Sequence, residues 1–270
     1  MVNWNVSPTI VNLGPLQLRW YGLMFLVGFL IGYQSMRKIC TWENKPLEKL
    51  DSLLTHIFLG TLIGARLGHC LFYEPGYYLS HPLDIIKIWE GGLASHGGGI
   101  GVLIGIWLFS RKNREFPVMW IFDRVAIFTV LTGAFIRIGN LMNSEIIGRP
   151  TDVPWAFVFE RVDKLPRHPT QIYESLCYFA IALFGWLTYR KYKAKLPSGR
   201  VFGLTLALIF LARFTIEFFK ENQEAFESSM TINMGQLLSV PFILAGIYFY
   251  VRSFREVPAE NTKSVKKRSK

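Results

Sequence analysis

The chain has 270 residues, 51% of them apolar and 15% aromatic, a positive mean hydropathy of +0.27 and a formal net charge of +11. A soluble chain of this length folds as one or two domains with short apolar segments. Here apolar runs of about 20 residues, the length a hydrocarbon core demands, recur along the whole sequence and exclude that class. Cys40, Cys70 and Cys177 have no metal-ligand or redox spacing, which excludes a disulfide scaffold or a zinc module.

In chain order the pattern predicts spans near Leu16–Met36, Leu53–Phe72, Gly92–Ser110, Met119–Leu141, Ile172–Tyr189, Val201–Phe219 and Gly235–Val251. The start of the chain lacks the basic region and small-residue cleavage site of a signal peptide, so the first span is expected to be retained. The expected fold is an all-α integral membrane protein, a bundle of about seven transmembrane helices forming one domain over residues 1–270. An outer cap loop is expected at about 143–169 and a basic cytoplasmic tail at about 252–270.

The placement of the positive charge decides between nucleic acid and membrane. Of the 30 Lys and Arg, 19 lie in four segments: Arg37–Lys49, Arg111–Arg114, Arg190–Arg200 and Arg252–Lys270. Only six, Lys87, Arg149, Arg161, Lys164, Arg167 and Lys220, lie in the alternate segments. Arg19, Arg66, Arg124, Arg137 and Arg213 fall within or beside spans. Alternate loops carry the positive charge, so the amino terminus is expected outside and the carboxyl terminus inside. The tail Lys263–Lys270 then reads as a topology determinant or anionic-lipid contact, with no nucleic-acid partner.

Orienting each span by this rule gives its polar residues a depth. Tyr21, Arg66, His69, His96, Arg137, Asn140, Arg213 and Glu217 all fall toward the outer leaflet. Asn143 and Glu145 stand just beyond the fourth span, and Gln171, Tyr173 and Glu174 open the fifth. Only His56, Asp123 and Arg124 lie clearly toward the inner side. A transporter or channel carries its polar groups at the midplane or along a through-path. One-sided clustering favours a chamber open to the outer leaflet, and lipid chemistry over conduction.

Spacing sharpens the candidates. Arg213 and Glu217 are four apart and share a helix face, so either they simply pair or Arg213 also serves an anion. Arg137 and Asn140 also share a face, and Arg137 has no acidic residue one turn away. Guanidinium forks suit a phosphodiester. Arg66 reads equally as a packing or a functional arginine. His96 stands in Ser95-His96-Gly97-Gly98-Gly99, where the glycines permit close helix approach or irregular backbone. A neutral imidazole there could accept a proton from a weak acid, and the competing role is a satisfied packing histidine. His56 and His69 read as structural, and His81 and His168 lie in outer loops. No histidine pair has zinc spacing beside a carboxylate, so no metal is expected. A Gly-x-Ser-x-Gly nucleophile run is absent.

The segment from Arg137 to Gly148, Arg-Ile-Gly-Asn-Leu-Met-Asn-Ser-Glu-Ile-Ile-Gly, resembles the signature of bacterial prolipoprotein diacylglyceryl transferases. Arg19–Met24, Trp89–Leu93 running into His96–Gly98, Arg167–Glu174, Arg213–Glu217 and Met234–Gln236 agree with the same family in order, from about Leu13 to Tyr250. Ile136, Leu141 and Glu90 depart from the usual Gly, Phe and Asp, and Ile209 stands where some members have Tyr.

The resemblance implies transfer of diacylglycerol from phosphatidylglycerol to the lipobox cysteine of a preprolipoprotein, with glycerol phosphate released and no cofactor. It implies a bacterial inner-membrane protein, in contact with membrane lipids, whose active site faces the periplasmic leaflet. His96, Arg137, Arg213 and Glu217 are the implied catalytic residues, with Glu217 holding Arg213 in place. Tyr21, Asn140, Asn143, Glu145, Gly148, Gly97 and Gly98 are the implied substrate-binding set. Rival readings are a lipid or anion transporter that binds phosphate head groups without cleaving a bond, and a non-catalytic scaffold.

The orientation is testable by labelling. In a background without the native cysteines, an outside-only thiol reagent is expected to modify Ser80→Cys and spare Ser198→Cys, and the reverse pattern would overturn the depth assignments.

Overall fold

The computed structural model describes residues 1–14, 16–88, 91, 92, 94–221 and 232–255; Trp89, Glu90 and Leu93 of the sequence motif and the basic tail Lys263–Lys270 lie outside these. The described residues begin with strands β1 (Val2–Trp4), β2 (Thr9–Leu13) and β3 (Leu16–Arg19), followed by helices α1 (Trp20–Trp42), α2 (Glu48–Phe72), α3 (Pro75–Ser80), α4 (Ser95–Lys112) and α5 (Val118–Asn143). Strands β4 (Phe157–Phe159) and β5 (Pro166–Arg167) then precede α6 (Thr170–Tyr192), α7 (Arg200–Ile216) and α8 (Met234–Arg252).

Six helices, α1, α2, α5, α6, α7 and α8, are long and apolar enough to cross a membrane, and the protein is a multi-pass membrane protein. That count agrees with the expected bundle of about seven. The third predicted span exists as α4, an 18-residue helix, but it is not among those six. His96 in its first turn and Arg111 and Lys112 in its last dilute its apolar character.

The strands were not anticipated. β1 pairs in parallel with β4, Val2 opposite Phe157, and β4 pairs antiparallel with β5, giving the order β1-β4-β5. The Met1 ammonium donates to the Pro154 carbonyl at 2.8 Å. Much of the segment expected as a cap loop is therefore hydrogen-bonded backbone. β2 and β3 form a separate hairpin.

Two compact units divide the chain, one formed by residues 1–36 and 122–270 and the other by 37–121. Lipid gives helices no hydrophobic reason to associate, so close van der Waals approach at small residues has to do it. In the first unit Gly28 on α1 lies against α5, where a β-carbon would stand 2.8 Å from Thr132 Cα. Gly246 on α8 meets α7 in the same way, its β-carbon position 2.8 Å from Ala207 Cα. Between α5 and α6, Val130, Ala134, Tyr178, Ile181 and Ala182 form a buried cluster, and Ser175 Oγ donates to the Ala134 carbonyl at 3.0 Å. Asp123 of α5 is fully buried and accepts from the Gly199 and Phe202 backbone N–H groups at 2.7 and 2.9 Å. It thereby satisfies donors at the start of α7, a helix whose N-cap residue, Gly199, has no side chain to do so.

In the second unit α2 and α4 cross on two glycine rows, Gly60, Gly64 and Gly68 against Gly97, Gly101 and Gly105. A β-carbon on Gly68 would stand 2.9 Å from Gly97 Cα, and one on Gly101 would stand 2.7 Å from the Gly60 carbonyl carbon. Arg66, 3% exposed, donates to the backbone carbonyls of Asp84, Ile85 and Gly91 at 2.6, 2.8 and 2.6 Å. Of its two competing readings the structural one holds: its guanidinium organises the segment that follows α3. His69 stacks on Tyr73, as a structural histidine would.

The glycine rows predict a sharp positional contrast. Gly101→Val should lower thermal stability in detergent by about 1–3 kcal/mol or more, the usual cost of overpacking. Gly99→Ala on the same helix, where nothing lies within 4 Å, should leave the melting temperature unchanged.

Candidate functional site

The residues singled out by depth divide between the units. Tyr21, Arg137, Asn140, Asn143, Glu145, Gly148, Arg213 and Glu217 belong to the first, and His96, Gly97 and Gly98 belong to the second.

In the first unit the site begins where α5 ends. Ser144 and Ile146 follow with φ of 56° and 54°. A left-handed β-branched residue is strained, of order 1–3 kcal/mol, and persists only where its surroundings over-determine it. Three contacts do so here. Glu145 N–H donates to the Asn140 carbonyl at 3.0 Å, Thr170 Oγ1 to the Ile146 carbonyl at 2.9 Å, and Gln171 Nε2 to the Glu145 carbonyl at 2.6 Å. The turn folds the Glu145 carboxylate back onto α5, where Asn143 Nδ2 donates to Oε1 at 3.1 Å and Asn140 Nδ2 to Oε2 at 3.3 Å. Arg137 Nη1 in turn donates to Asn140 Oδ1 at 3.3 Å. Tyr21, in the first turn of α1, lies against Gly139, where a β-carbon would stand 3.1 Å from the tyrosine ring. Five of the sequence candidates thus meet on one end of α5.

The acidic partner of Arg137 comes from another helix. Its Nε lies 2.9 Å from Glu174 Oε2, and the Glu174 side chain is fully buried. That oxygen has no aligned hydrogen bond, so the contact is an ion pair by distance and the guanidinium is not locked by it. Glu174 Oε1 accepts from Lys220 Nζ at 2.9 Å, and the same ammonium reaches Glu217 Oε2 at 3.2 Å. Lys220 itself is 2% exposed.

The backbone carries Lys220 to this position. Residues 217–219 form a 3-10 turn after α7, and the chain beyond it is strapped to the segment after α5. Arg149 N–H donates to the Phe219 carbonyl at 2.8 Å, Glu221 N–H to the Ile147 carbonyl at 3.3 Å, and Arg149 Nε to the Lys220 carbonyl at 2.8 Å. On its other side that segment pairs with 166–168, through Gly148 N–H to the His168 carbonyl at 3.0 Å and His168 N–H to the Arg149 carbonyl at 3.1 Å. Gly148 is the middle of this sandwich: a β-carbon would stand 2.6 Å from His168 Cβ and 2.8 Å from the Phe219 carbonyl oxygen. Arg167 locks the edge, bonding Asp163, the Gly148 carbonyl at 3.1 Å and Glu221 at 3.0 Å. Its hydrogen bond holds the Asp163 carboxyl below the usual carboxylate range.

The expected Arg213–Glu217 pair is not formed. Glu217 lies beyond the α-helical part of α7, and its carboxylate turns to Lys220. It rests against the first turn of α8, where a β-carbon on Gly235 would stand 2.7 Å from Glu217 Cδ. Arg213 is left half-buried, with no ion pair or hydrogen bond among the described residues. Ala212, its neighbour on α7, packs against the α5–α6 cluster that contains Tyr178, so the ends of α5 and α7 that carry the two arginines adjoin. Two forks on different helices can receive an anionic oxygen cluster.

In the second unit His96 occupies the first turn of α4, exposed and without a hydrogen-bond partner among the described residues. Gly97 packs against Gly64 and Gly68, whereas a β-carbon on Gly98 would meet Ala65 and Thr61 only at ordinary contact distances of 3.5 and 3.6 Å. No group of three His, Cys, Asp or Glu side chains gathers as metal ligands among the described residues.

Sequence reasoning passed over two residues of the site. Glu174 had been given a depth level with Arg137 but no partner, and that coincidence was its only signal. Lys220 read as a loop lysine, because a short turn that re-enters the protein has no periodicity to betray it.

Comparison with known proteins bears on the same motifs. Residues 8–252 match the family described as prolipoprotein diacylglyceryl transferase. A protein of Tolumonas auensis named phosphatidylglycerol–prolipoprotein diacylglyceryl transferase is 57% identical, over 95% of this chain and 99% of its own length. Proteins of the same name from Chloroherpeton thalassium and Bacteroides fragilis are 46% and 48% identical, over 96% and 92% of this chain and 97% and 94% of their own lengths. With the family match covering residues 8–252 and relatives matched over nearly the whole chain, the chain belongs to the prolipoprotein diacylglyceryl transferase family.

Proposed function

We propose that the protein transfers the diacylglyceryl group of phosphatidylglycerol to the lipobox cysteine of preprolipoproteins in the bacterial inner membrane. The observation that carries this is the pair Arg137 and Arg213, one loosely held and one without an ion pair among the described residues, in a chain of this family. The lipobox peptide, the periplasmic orientation and the roles below are part of the proposal.

The reaction is a displacement at carbon. The cysteine sulfur attacks the glyceryl carbon that bears the phosphate, a C–S bond forms, the C–O bond breaks, and glycerol phosphate leaves with the electron pair. A free thiol is mostly protonated near neutrality, so its proton must be taken up. His96 is the proposed acceptor, its ring without a hydrogen-bond partner among the described residues at the start of α4. Negative charge grows on the departing phosphate, and Arg137 and Arg213 stabilise it where little water competes. Asn140 and Tyr21 orient the head group, while Asn143, Glu145 and Gly148 shape the mouth. Gly97 keeps the His96 turn close to α2, and Gly98 beside it belongs to the substrate-binding set. Glu217 acts through Lys220 and not by gripping Arg213.

The purified protein in phosphatidylglycerol vesicles is expected to add one diacylglyceryl group to the cysteine of a lipobox peptide, read by mass. Movement of lipid with no covalent product would sink the proposal in favour of a transporter. Arg137→Lys and Arg213→Lys keep charge and lose the fork, and each should lower turnover about tenfold or more. Full activity in both would make these arginines structural.

His96→Gln should lose on the order of 10²–10⁴-fold in turnover while still binding phosphatidylglycerol. Because alkaline solvent supplies thiolate directly, turnover of that variant should partly recover as pH rises. A variant that folds, binds lipid and stays inactive at alkaline pH would make His96 a positioning group.

A further inference from the structure

We infer that Lys220 is a positioning residue for the phosphate-binding arginines, an ammonium that occupies carboxylates which would otherwise capture them. The inference rests on the proposed phosphate role of Arg137 and Arg213.

Four observations carry it. Glu217 stands one helical turn after Arg213, the spacing at which an arginine and a glutamate pair on a helix surface, yet the two are not paired. Lys220 holds Glu217 instead, at 3.2 Å, and also holds the Oε1 oxygen of Glu174 at 2.9 Å. Arg137 is left with the Oε2 oxygen of Glu174, at ion-pair distance but without hydrogen-bond alignment. Finally, Lys220 is fixed from outside the cluster, by the Arg149 hydrogen bond to its carbonyl and the pairing of Gly148 with Lys220 across the strap.

A buried carboxylate that loses its partner must find another cation, since an unpaired buried charge is strongly destabilising. Without Lys220 the nearest candidates are the arginines themselves. Glu217 would capture Arg213 at four-residue spacing, and Glu174 would take Arg137 with both oxygens. Each capture removes donors from the phosphate. The effect falls on lipid binding and leaves the peptide thiol untouched.

The test compares the unaltered full-length protein with Lys220→Met and with Lys220→Met combined with Glu217→Gln, in vesicles of graded phosphatidylglycerol fraction. Two readouts are taken: equilibrium binding of phosphatidylglycerol, and KM and kcat for diacylglyceryl transfer to a lipobox peptide. Lys220→Met is expected to weaken phosphatidylglycerol binding and raise its KM by about tenfold, with the peptide KM unmoved. Adding Glu217→Gln removes the carboxylate that captures Arg213 and should recover most of the lost affinity. A purely structural lysine predicts something else, namely fewer active molecules, a lower kcat, and an unchanged lipid KM. That result, or a double variant no better at binding lipid than Lys220→Met, overturns the inference. Should Lys220→Met fail to fold, the double variant decides alone: near-native lipid affinity supports the role and weakened affinity refutes it. If the unaltered protein binds phosphatidylglycerol but transfers nothing, the transferase proposal fails, and the binding comparison still decides the role of Lys220.

Discussion

The fully buried carboxylate of Glu174 is the constraint on which the first unit turns. Neither hydrocarbon nor packed protein solvates an ionised carboxyl group, so its charge must be met by cations brought to it. Arg137 comes from α5 and Lys220 from the turn after α7, at 2.9 Å each. The N-terminal part of α6 is thereby fastened to two elements that do not adjoin it in sequence. With Lys220 committed to two carboxylates, Arg213 is relieved of the duty its spacing from Glu217 would assign it.

That arrangement needs backbone that no regular helix supplies. The left-handed residues after α5 turn the chain back on itself, and Thr170 and Gln171 hold their carbonyls. Segments 147–150, 166–168 and 219–221 then exchange backbone hydrogen bonds in place of water. Gly148 lies where three segments converge too closely for a β-carbon, which accounts for a glycine there before any role in substrate binding is considered. Irregular backbone beside a membrane-spanning bundle is sustainable only when its polar groups are satisfied within the protein.

Chemistry and packing are distributed differently over the molecule. Mid-span positions are given to glycine rows and apolar side chains, as in the α2–α4 and α7–α8 crossings. Ionisable groups gather at helix ends and in the turns beyond them. The proposed displacement, in which the peptide brings its own sulfur, needs fixed cations more than a nucleophile from the protein. Arg66 shows that an arginine in a spanning helix can do purely structural work, since its donors are taken by backbone carbonyls. Arg213, with no such partners among the described residues, is the contrasting case.

The sequence by itself determined the membrane class, the approximate course of the spanning helices and the family motifs. Length, hydropathy and charge are one-dimensional properties, and a bilayer reads them directly. It also foretold that Arg137 and Asn140 share a face, because they stand three apart on one helix. Tertiary structure alone decided which charge meets which. Arg137 with Glu174, and Lys220 with Glu174 and Glu217, are pairs made across helices or through a turn, and no periodicity encodes a turn's exit direction. The apparent Arg213–Glu217 pair failed for the same reason: Glu217 still caps α7 with its N–H on the Arg213 carbonyl, but the turn that follows brings Lys220 back to take its carboxylate. The small β1-β4-β5 sheet was invisible because strands of three, three and two residues carry too little alternation to register, and only their union in space makes them a sheet.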